Sequence, residues 1–511
     1  MSEEDDILQL VKGSGVLLLG YVANYGIGFL TQVVMARQLG TTGYGIVTLG
    51  MVFTSSVTIF SLFGLHKGFG RFIPRFDEDS RRGAVVLLGL AVSLPITLTF
   101  AAISFIFSSD IALLLFRDPD MARPIRIFAL GIVPFTVLRL SVGISQGLQR
   151  SWFKAVVRNI LLPGSRFVFV IVVLTAGLGY LGIAWAYVGS LLFAGFAGVV
   201  FILRNISFGD DAWDAASFEL ARRLLVFSIP LVITATMTTT LQNLDSFLIG
   251  YFSIPDDVGI YRAAYMIAQM LTVFLGTLGF LFMPMMSELH SDERGDRMEA
   301  LYQTVTKWIV VLSVPFVLVL VTIPEIVLTV VYGQAYTESA IVLVVLAFGF
   351  LLHAITGLND NTLISVGNSR VVMVDNVVAV LLNIVLNVVL IPRYSFVGAA
   401  VATAITFAVR NVLYTYHLYR YVGILPQYSG VKRHGATIVL FLVIALVIRW
   451  FLPTARPLLL VGQLALLLLL YSLSILKIGL VEEREREILT TIVEENPKLF
   501  ALKRLFERFA P

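Results

Sequence analysis

Fourteen apolar segments, each about 20 residues long or longer, follow one another along the chain and carry few charges. A helix needs about 20 apolar residues to cross a hydrocarbon core of about 30 Å. Apolar and polar residues do not alternate within the segments, which excludes a transmembrane β-barrel. Because every backbone polar group must be satisfied inside lipid, we predict an all-α polytopic membrane protein. The segments cover residues 13–36, 43–66, 83–108, 125–147, 156–177, 181–203, 223–250, 258–288, 304–330, 337–366, 371–391, 396–418, 435–452 and 457–476.

The composition agrees with a membrane protein. Charged residues make up 14% of the chain and hydrophobic residues 58%, whereas a soluble domain carries about 25% charged residues. There is no cysteine, which excludes disulfides and thiolate metal sites. The connections between segments are too short to hold a soluble catalytic domain, and we assign the net charge of +4 to cytoplasmic loops rather than to nucleic-acid binding.

Signatures of catalysis are missing from the sequence. It contains no Gly-Lys dipeptide, so there is no P-loop and no sign of ATP hydrolysis. A G-x-S-x-G pattern occurs at residues 143–147, but it ends a helical segment, whereas a nucleophile elbow requires a strand–turn–helix. We therefore predict no catalytic residue, no metal site and no cofactor. The energy for transport is expected from a Na⁺ or H⁺ gradient or from the substrate itself.

The distribution of basic residues predicts the orientation in the membrane. Connections after even-numbered segments carry most of them, and Arg117, Arg123 and Arg126 form the largest group in an odd-numbered connection. The positive-inside rule then places both termini in the cytoplasm of a multi-pass cell-membrane protein. The basic residues of the even-numbered connections include Lys67, Arg71, Arg75, Arg81, Arg82, Arg150, Lys154, Arg158, Arg204, Arg222, Arg223, Arg294, Arg297, Lys307, Arg370, Arg420, Lys432 and Arg433.

The first twelve segments contain an internal duplication. Gly43 and Gly259 lie 216 residues apart in two similar hinge-like stretches. Because each copy would hold six segments, both copies share one topology, and we predict two six-helix lobes related by a pseudo-twofold axis, with the substrate site at their interface. Three further pairs occur in the same order, namely Gly182 with Gly398, residues 145–150 with 365–370, and residues 72–74 with 282–284.

The duplication divides the chain into six predicted parts. Two additional helices follow the lobes without a partner, and the last part has apolar residues at helical spacing among charges, which is typical of an amphipathic helix at a membrane surface. The parts are a cytoplasmic tail at 1–12, an N-terminal lobe at 13–205, a cytoplasmic linker at 206–222, a C-terminal lobe at 223–420, two additional helices at 435–476 and a cytoplasmic amphipathic tail at 477–511.

Asp245 is the strongest candidate for a functional carboxylate. It lies in the apolar seventh segment, shortly before a break at residues 253–255, and an ionisable group at membrane depth is costly. We consider a cation or proton site, a conformational latch to a basic partner, and a structural carboxylate bonded to Asn243 or to a neighbouring helix. Arg262, just beyond the break, is a candidate gate residue or an interfacial arginine.

Three basic residues are candidates for binding an anionic group. Lys67 and Arg71 lie at the end of the second segment, where they either bind a phosphate or only set the topology. Arg139 lies in the middle of the fourth segment and cannot easily reach water, so it either lines a hydrated cavity or pairs with a carboxylate such as Asp245. We count all three among the candidate substrate contacts, with Lys67 and Arg71 as phosphate ligands.

Polar residues also interrupt other apolar segments. Asp360 lies in the tenth segment, and Asp375 lies in the eleventh together with Asn383 and Asn387. Such residues are tolerated where they line water or bond to another helix. The asparagines favour interhelical hydrogen bonding, and Asn24 in the first segment presents the same alternative. We count Asp360 and Asn24 as candidate substrate contacts and Asp375 as a coupling or gating candidate.

Three stretches resemble the polysaccharide-flippase branch of the multidrug/oligosaccharidyl-lipid/polysaccharide exporter superfamily. They are residues 245–265, the R-F-I-P-R-F sequence at 71–76, and residues 383–405. The resemblance implies two six-helix lobes, two extra helices, alternating access, and a recurrent aspartate in the seventh helix that matches Asp245. It also implies a basic cavity for a phosphate-linked ligand. Lipid II flippases of the superfamily carry arginines in the first helix, whereas the first segment here has none before Arg37.

The resemblance implies a flippase that moves an isoprenoid-linked oligosaccharide to the outer leaflet. The carrier would be a dolichol or undecaprenyl phosphate or diphosphate, membrane lipids would be the surrounding partners, and a monomer is expected because the site lies within one chain. A cation-coupled multidrug exporter of the same superfamily would show more acidic residues facing the cavity. An integral-membrane glycosyltransferase would need a long extracytoplasmic loop or an acidic catalytic motif.

Overall fold

A computed structural model describes residues 3–292, 295–426, 431–451 and 457–477. Within these residues the chain is helical and contains no strand. The helices of eight residues or more are Glu3–Ser61, Leu65–Phe72, Asp79–Ile106, Ser108–Phe116, Ala122–Leu130, Ile132–Gly147, the π-helix Lys154–Leu161, Leu162–Thr175, Gly179–Asn205, Phe218–Phe252, Pro255–Gln269, Leu271–Ser291, Gly295–Thr322, Pro324–Val331, Ala340–Thr356, Ser369–Val422, Val431–Phe451 and Pro457–Lys477. The shorter elements are Ile73–Arg75, Pro119–Met121, Ser151–Phe153, Asp210–Asp214, Gln334–Ser339 and Asn359–Ser365.

Ten helical stretches in the described part of the chain are long and apolar enough to cross a membrane. Two of them, Ala23–Ser61 and Ser369–Val422, each cover two predicted segments, because the helix continues on both sides of a single non-helical residue. Helix Phe218–Phe252 and the shorter apolar helix Leu459–Ile475 coincide with the seventh and fourteenth segments. The predicted all-helical membrane fold is confirmed, and the number of fourteen spans stays a prediction.

The kinks lie where the sequence contains helix-breaking residues. Gly40 has a φ of 68°, a conformation that costs glycine little. Ser395 has a φ of 46°, three residues after Pro392, whose ring disturbs the preceding helical turn. The helix that carries Asp245 ends at Phe252 and the next begins at Pro255, so the predicted break is confirmed. Proline is well suited to the first helical position.

The chain folds into two compact units. The first unit is Met1–Ala263 with Val380–Ala402, and the second is Ala264–Ala379 with Thr403–Pro511. Each unit has its own buried apolar cluster, which includes Phe69, Leu138 and Phe201 in the first and Leu275, Tyr302 and Tyr414 in the second. The predicted lobe boundaries stay a prediction, and the predicted tail at 477–511 lies outside the described residues except for Lys477.

The two hinge-like stretches contact each other within the first unit. A Cβ atom on Gly45 would overlap the carbonyl oxygen of Pro255, and one on Gly259 would overlap the carbonyl oxygen of Thr41. The contact is therefore reciprocal between Gly45 and Gly259. Gly43 itself faces the side chains of Leu39 and Tyr180, so its sequence correspondence with Gly259 is not a contact, and the duplication stays a prediction.

Hydroxyl groups donate hydrogen bonds to the two aspartates in the first turn of the helix Pro255–Gln269. Thr41 and Thr42 donate to Asp256 Oδ1 over 2.5 and 2.9 Å. Asp257 Oδ2 accepts from Ser395 over 2.5 Å and also from Ser253. Carboxylates are favoured in a first helical turn by the helix dipole, so both aspartates stabilise the helix Pro255–Gln269 and tie it to neighbouring hinges.

The G-x-S-x-G pattern is a helix-packing motif. A Cβ atom on Gly143 would overlap the carbonyl group of His66, and one on Gly147 would lie 2.6 Å from the carbonyl oxygen of Phe69. Small residues four apart allow such a close approach between helices. The motif therefore packs the short helix Leu65–Phe72 onto Ile132–Gly147, which brings the backbones that carry Lys67 and Arg139 together.

Candidate functional site: a cationic cavity

A cavity of about 690 Å³ lies within the first unit. Its lining includes five cationic side chains, and no aspartate or glutamate is among the lining residues in the described part of the chain. The apolar part of the lining comes mainly from the helices Glu3–Ser61 and Ile132–Gly147. The polar and charged lining residues are Asn24, Gln32, Thr48, Ser55, His66, Lys67, Arg139, Gln146, Arg158, Arg166, Tyr187, Asn243 and Arg262.

Four of the five cations in the cavity lining lack an ion pair in the part of the chain that the structure describes. Among the described residues no carboxylate forms an ion pair with Lys67, Arg139, Arg158 or Arg166. Several like charges around one space raise its potential and attract anions. The charge of the lining therefore favours an anionic ligand in the cavity.

Aromatic rings hold two of the arginines. The guanidinium of Arg166 lies 4.2 Å from the ring centroid of Tyr187, and its Nε donates to Ser190 Oγ over 3.3 Å. The guanidinium of Arg139 lies 4.9 Å from the ring centroid of Phe135, four residues earlier on the same helix. Cation–π contacts of this kind stabilise a guanidinium without neutralising it. Both groups keep their charge for a ligand.

Arg158 lies in a π-helical turn, Lys154–Leu161, at the start of the fifth segment. Such turns are rare and often occur at functional sites, because the wider turn redirects side chains. Arg158 entered the sequence-based prediction only as a marker of orientation, and Arg166, inside the apolar fifth segment, only as a candidate ranked below the others. Their spacing of eight residues, which keeps two side chains on one face of a helix, was the available signal.

Lys67 lies on the short helix Leu65–Phe72, outside the membrane-spanning stretches. Burial lowers the pKa of its ammonium group, and the nearby charge of Arg139 lowers it further. The protonated form is therefore disfavoured by the surroundings, and a bound anion would favour it again. The lining also offers Gln32 Oε1 and His66 Nδ1, which are buried and without a hydrogen-bond partner among the described residues.

The basic and polar residues predicted from the sequence differ in their position relative to the cavity. Lys67, Arg139, Asn24 and Arg262 all line the cavity. Arg71 does not line it, since its exposed guanidinium lies 4.1 Å from the ring centroid of Phe227. The structure therefore brings together four of the predicted residues and leaves Arg71 outside.

Asp245 lies in a buried hydrogen-bond network of the first unit, apart from the cavity lining. It is 3% exposed. Tyr261 donates to its Oδ2 over 2.5 Å, and Asn387 donates to its Oδ1 over 2.8 Å. Asn387 also donates to Asn383 over 3.1 Å, so the predicted amide pair shares one helix face. The network joins three helical stretches around one carboxylate.

Asp360 and Asp375 lie in the second unit. Asp360 accepts a bond from the backbone N–H of Asn361 over 2.8 Å at the start of a short helix. Asp375 is buried and lies 2.8 Å from Nδ1 of His417. The sequence analysis missed His417, because it is 42 residues away and no local pattern marks it.

We expect the Asp375–His417 pair to stabilise the second unit. Replacing Asp375 by alanine removes a buried hydrogen bond and is expected to lower the unfolding free energy by about 1–3 kcal/mol. Thermal unfolding of the purified protein in detergent measures this. His417→Ala should have a similar effect, and the double variant should be no less stable than the worse single variant. Additive losses would contradict the pairing.

Comparisons with known proteins match most of the chain. The family model described as polysaccharide biosynthesis protein matches residues 10–290, and the MatE family model matches residues 230–389. The probable low-salt glycan biosynthesis flippase Agl15 of Haloferax volcanii is 27% identical over 429 residues, which cover 83% of this chain and 86% of that protein. The putative O-antigen transporter of Shigella flexneri is 20% identical over 78% of this chain and 95% of that protein.

The fold is also found among solved structures. The lipid II flippase MurJ in an inward closed conformation superposes with a TM-score of 0.71 and 12% identity, over 91% of this chain and 99% of that chain. At this identity the likeness concerns the fold alone.

Proposed function

The chain belongs to the polysaccharide biosynthesis protein family, in the flippase branch of the multidrug/oligosaccharidyl-lipid/polysaccharide exporter superfamily, and we propose that it moves a lipid-linked oligosaccharide from the cytoplasmic to the outer leaflet. Its relatives are named as flippases and transporters, and the chain is a transporter rather than an enzyme.

The observation that carries this proposal is the cavity with five cationic side chains and no carboxylate in its described lining. A phosphate or diphosphate that links a glycan to its lipid is anionic at neutral pH, and arginine and lysine are its usual ligands. Lys67, Arg139 and Arg158, which we call the basic cluster, would hold this group. The polar side chains Asn24, Gln32 and Gln146 would bond sugar hydroxyl groups.

The finer features of the proposal follow from the sequence. The carrier would be a dolichol or undecaprenyl phosphate or diphosphate, and the protein would act as a monomer in the cell membrane with both termini in the cytoplasm. Fourteen spans would form two pseudo-symmetric lobes that alternate in access, because repeats of the same topology commonly rock around a central site.

We assign a coupling role to Asp245. A buried carboxylate with two hydrogen-bond donors, Tyr261 and Asn387, is suited to bind a proton or a Na⁺ ion whose gradient drives transport. Asp245→Asn keeps the shape and removes the charge. A lost charged contact is worth about 1.5–3 kcal/mol, so we expect Na⁺ to bind roughly ten- to a hundredfold more weakly, whereas a coupling proton would no longer bind at all.

Transport into proteoliposomes at a series of Na⁺ concentrations and imposed pH gradients measures this effect. The variant Asp256→Asn is the matched control, since it removes a carboxylate of the same unit that bonds only hydroxyl groups in the described structure. An Asp245→Asn protein with unchanged ion dependence would contradict the coupling role.

The proposed function is tested by deleting the gene in its host. We expect a completed, inward-facing lipid-linked oligosaccharide to accumulate while surface glycan disappears, and the wild-type gene to reverse both effects. Normal surface glycan with raised drug sensitivity would overturn the proposal and favour a multidrug exporter, the function suggested by the MatE match. Accumulation of a truncated glycan would instead indicate a transferase.

A further inference from the structure

We propose that the transported glycan is acidic and that Arg166 binds a carboxylate or sulfate group on one of its sugars. This inference rests on the proposed function, since it concerns the ligand of the same cavity.

The guanidinium group of Arg166 has a fixed orientation in the cavity lining. Contacts with Tyr187 and Ser190 fix its guanidinium plane, and the bond to Ser190 uses its Nε. The hydroxyl of Tyr187 also accepts a hydrogen bond from the guanidinium, and no carboxylate or carbonyl oxygen among the described residues uses its remaining N–H donors. A fixed, planar fork of N–H donors suits bidentate binding of a carboxylate or of a sulfate oxygen pair. A neutral sugar hydroxyl would bond one donor and leave the charge unbalanced.

The second step is the separation of Arg166 from Arg158, the member of the basic cluster on the same helical stretch. Arg158 and Arg166 lie on one helical stretch, Lys154–Thr175, eight residues apart. Eight residues correspond to about 12 Å along an α-helix, and slightly less where the π-helical turn shortens the rise. Since Tyr187 and Ser190 on a different helix hold the guanidinium of Arg166, it cannot turn back freely towards Arg158. One phosphate group does not extend over this distance.

The third step is the charge balance. A diphosphate that joins a lipid to a sugar carries two negative charges, which the three cations of the basic cluster already exceed. Arg166 is then a further, partly buried cation of the lining, with no carboxylate partner among the described residues. Such a charge is costly unless an anion pairs with it. The sugars of the bound glycan occupy the space beyond the phosphate, so the anion must be a substituent of a sugar.

The test compares ligands that differ only in this substituent. The full-length protein in detergent is titrated with farnesyl diphosphate, and with farnesyl-diphosphate-linked disaccharides that carry glucose, glucuronic acid or sulfated glucose as the first or second sugar. We expect at least one acidic probe to bind about tenfold or more tightly than the glucose probe. Whichever acidic probe is preferred identifies the anion as a carboxylate or a sulfate.

Two variants assign the preference to Arg166. Arg166→Gln should bind all probes with the affinity of the glucose probe, while its affinity for farnesyl diphosphate stays that of the wild type. Arg166→Lys keeps the charge without the fork and should retain only part of the preference, which also provides a folded comparison. Arg71→Gln, outside the cavity, should retain all of it.

The binding measurements distinguish a failure of this inference from a failure of the proposed function. Equal binding of glucose and acidic probes by the wild type, or an undiminished preference in both Arg166 variants, would overturn the inference and leave the flippase function intact. Absence of binding for farnesyl diphosphate and for every probe would overturn both.

Discussion

Replacing Arg139 by glutamine is expected to abolish glycan transport while the protein remains folded. Arg139 lines the cavity with a full charge, contacts the ring of Phe135 and has no carboxylate partner among the described residues. Removing a charged contact to a bound diphosphate costs about 1.5–3 kcal/mol, and the remaining members of the basic cluster lose part of the field that attracts the ligand. Surface glycan in a deletion strain that expresses the variant measures the effect.

Stability should change in the opposite direction. Because Arg139 is a partly buried charge with no carboxylate partner among the described residues, its replacement by a neutral side chain removes a desolvation penalty. The melting temperature of the Arg139→Gln protein in detergent should therefore equal or exceed that of the wild type. Binding sites that are preorganised for a ligand commonly show this trade between stability and activity.

Arg71→Gln is the matched control for Arg139→Gln. It removes the same charge from a residue that lies over Phe227 outside the cavity. We expect normal surface glycan with this variant at equal expression. Normal surface glycan with Arg139→Gln as well, at equal expression, would contradict the assignment of the cavity as the substrate site.

The membrane fold could be predicted from the sequence because it depends on segment length and hydropathy, which are local properties. The break after Phe252 was predictable for the same reason, since Pro255 marks it. Which of two neighbouring basic residues faces the cavity is not local. Lys67 and Arg71 lie one turn apart on the same short helix, but only the packing of that helix on Ile132–Gly147 places Lys67 in the lining.

Basic residues near the end of a span are difficult to assign to a ligand site from the sequence. The sequence offers two equal explanations for a basic residue near the end of a span, orientation in the membrane and ligand binding. Arg158 was assigned to orientation, and the π-helical turn that carries it has no sequence signature. The close contact of Gly45 with Gly259 could not be predicted either, because Gly43 and Gly45 lie in the same hinge-like stretch and only the backbone packing distinguishes them.

The contact between the two hinge-like stretches gives a second prediction. One covalent bond across this contact should stop the transport cycle. Thr42 Oγ1 and Asp256 Oδ1 are 2.9 Å apart, at the point where two kinked helices meet. The chain has no cysteine, so Thr42→Cys with Asp256→Cys introduces the only disulfide that can form within it. If these two helices separate once per cycle, oxidation should reduce transport to the background level.

The reversibility of the bond makes this prediction decisive. Proteoliposomes with the double-cysteine protein should regain transport when a reductant is added, whereas each single-cysteine protein should transport equally in both conditions. The extent of cross-linking is measured independently, by labelling the remaining thiols. If the fully cross-linked protein transports as fast as the protein with free thiols, Gly45 and Gly259 remain in contact throughout the cycle. The close backbone contact would then be a static part of the first unit, and access would have to alternate through helices that do not meet at this hinge.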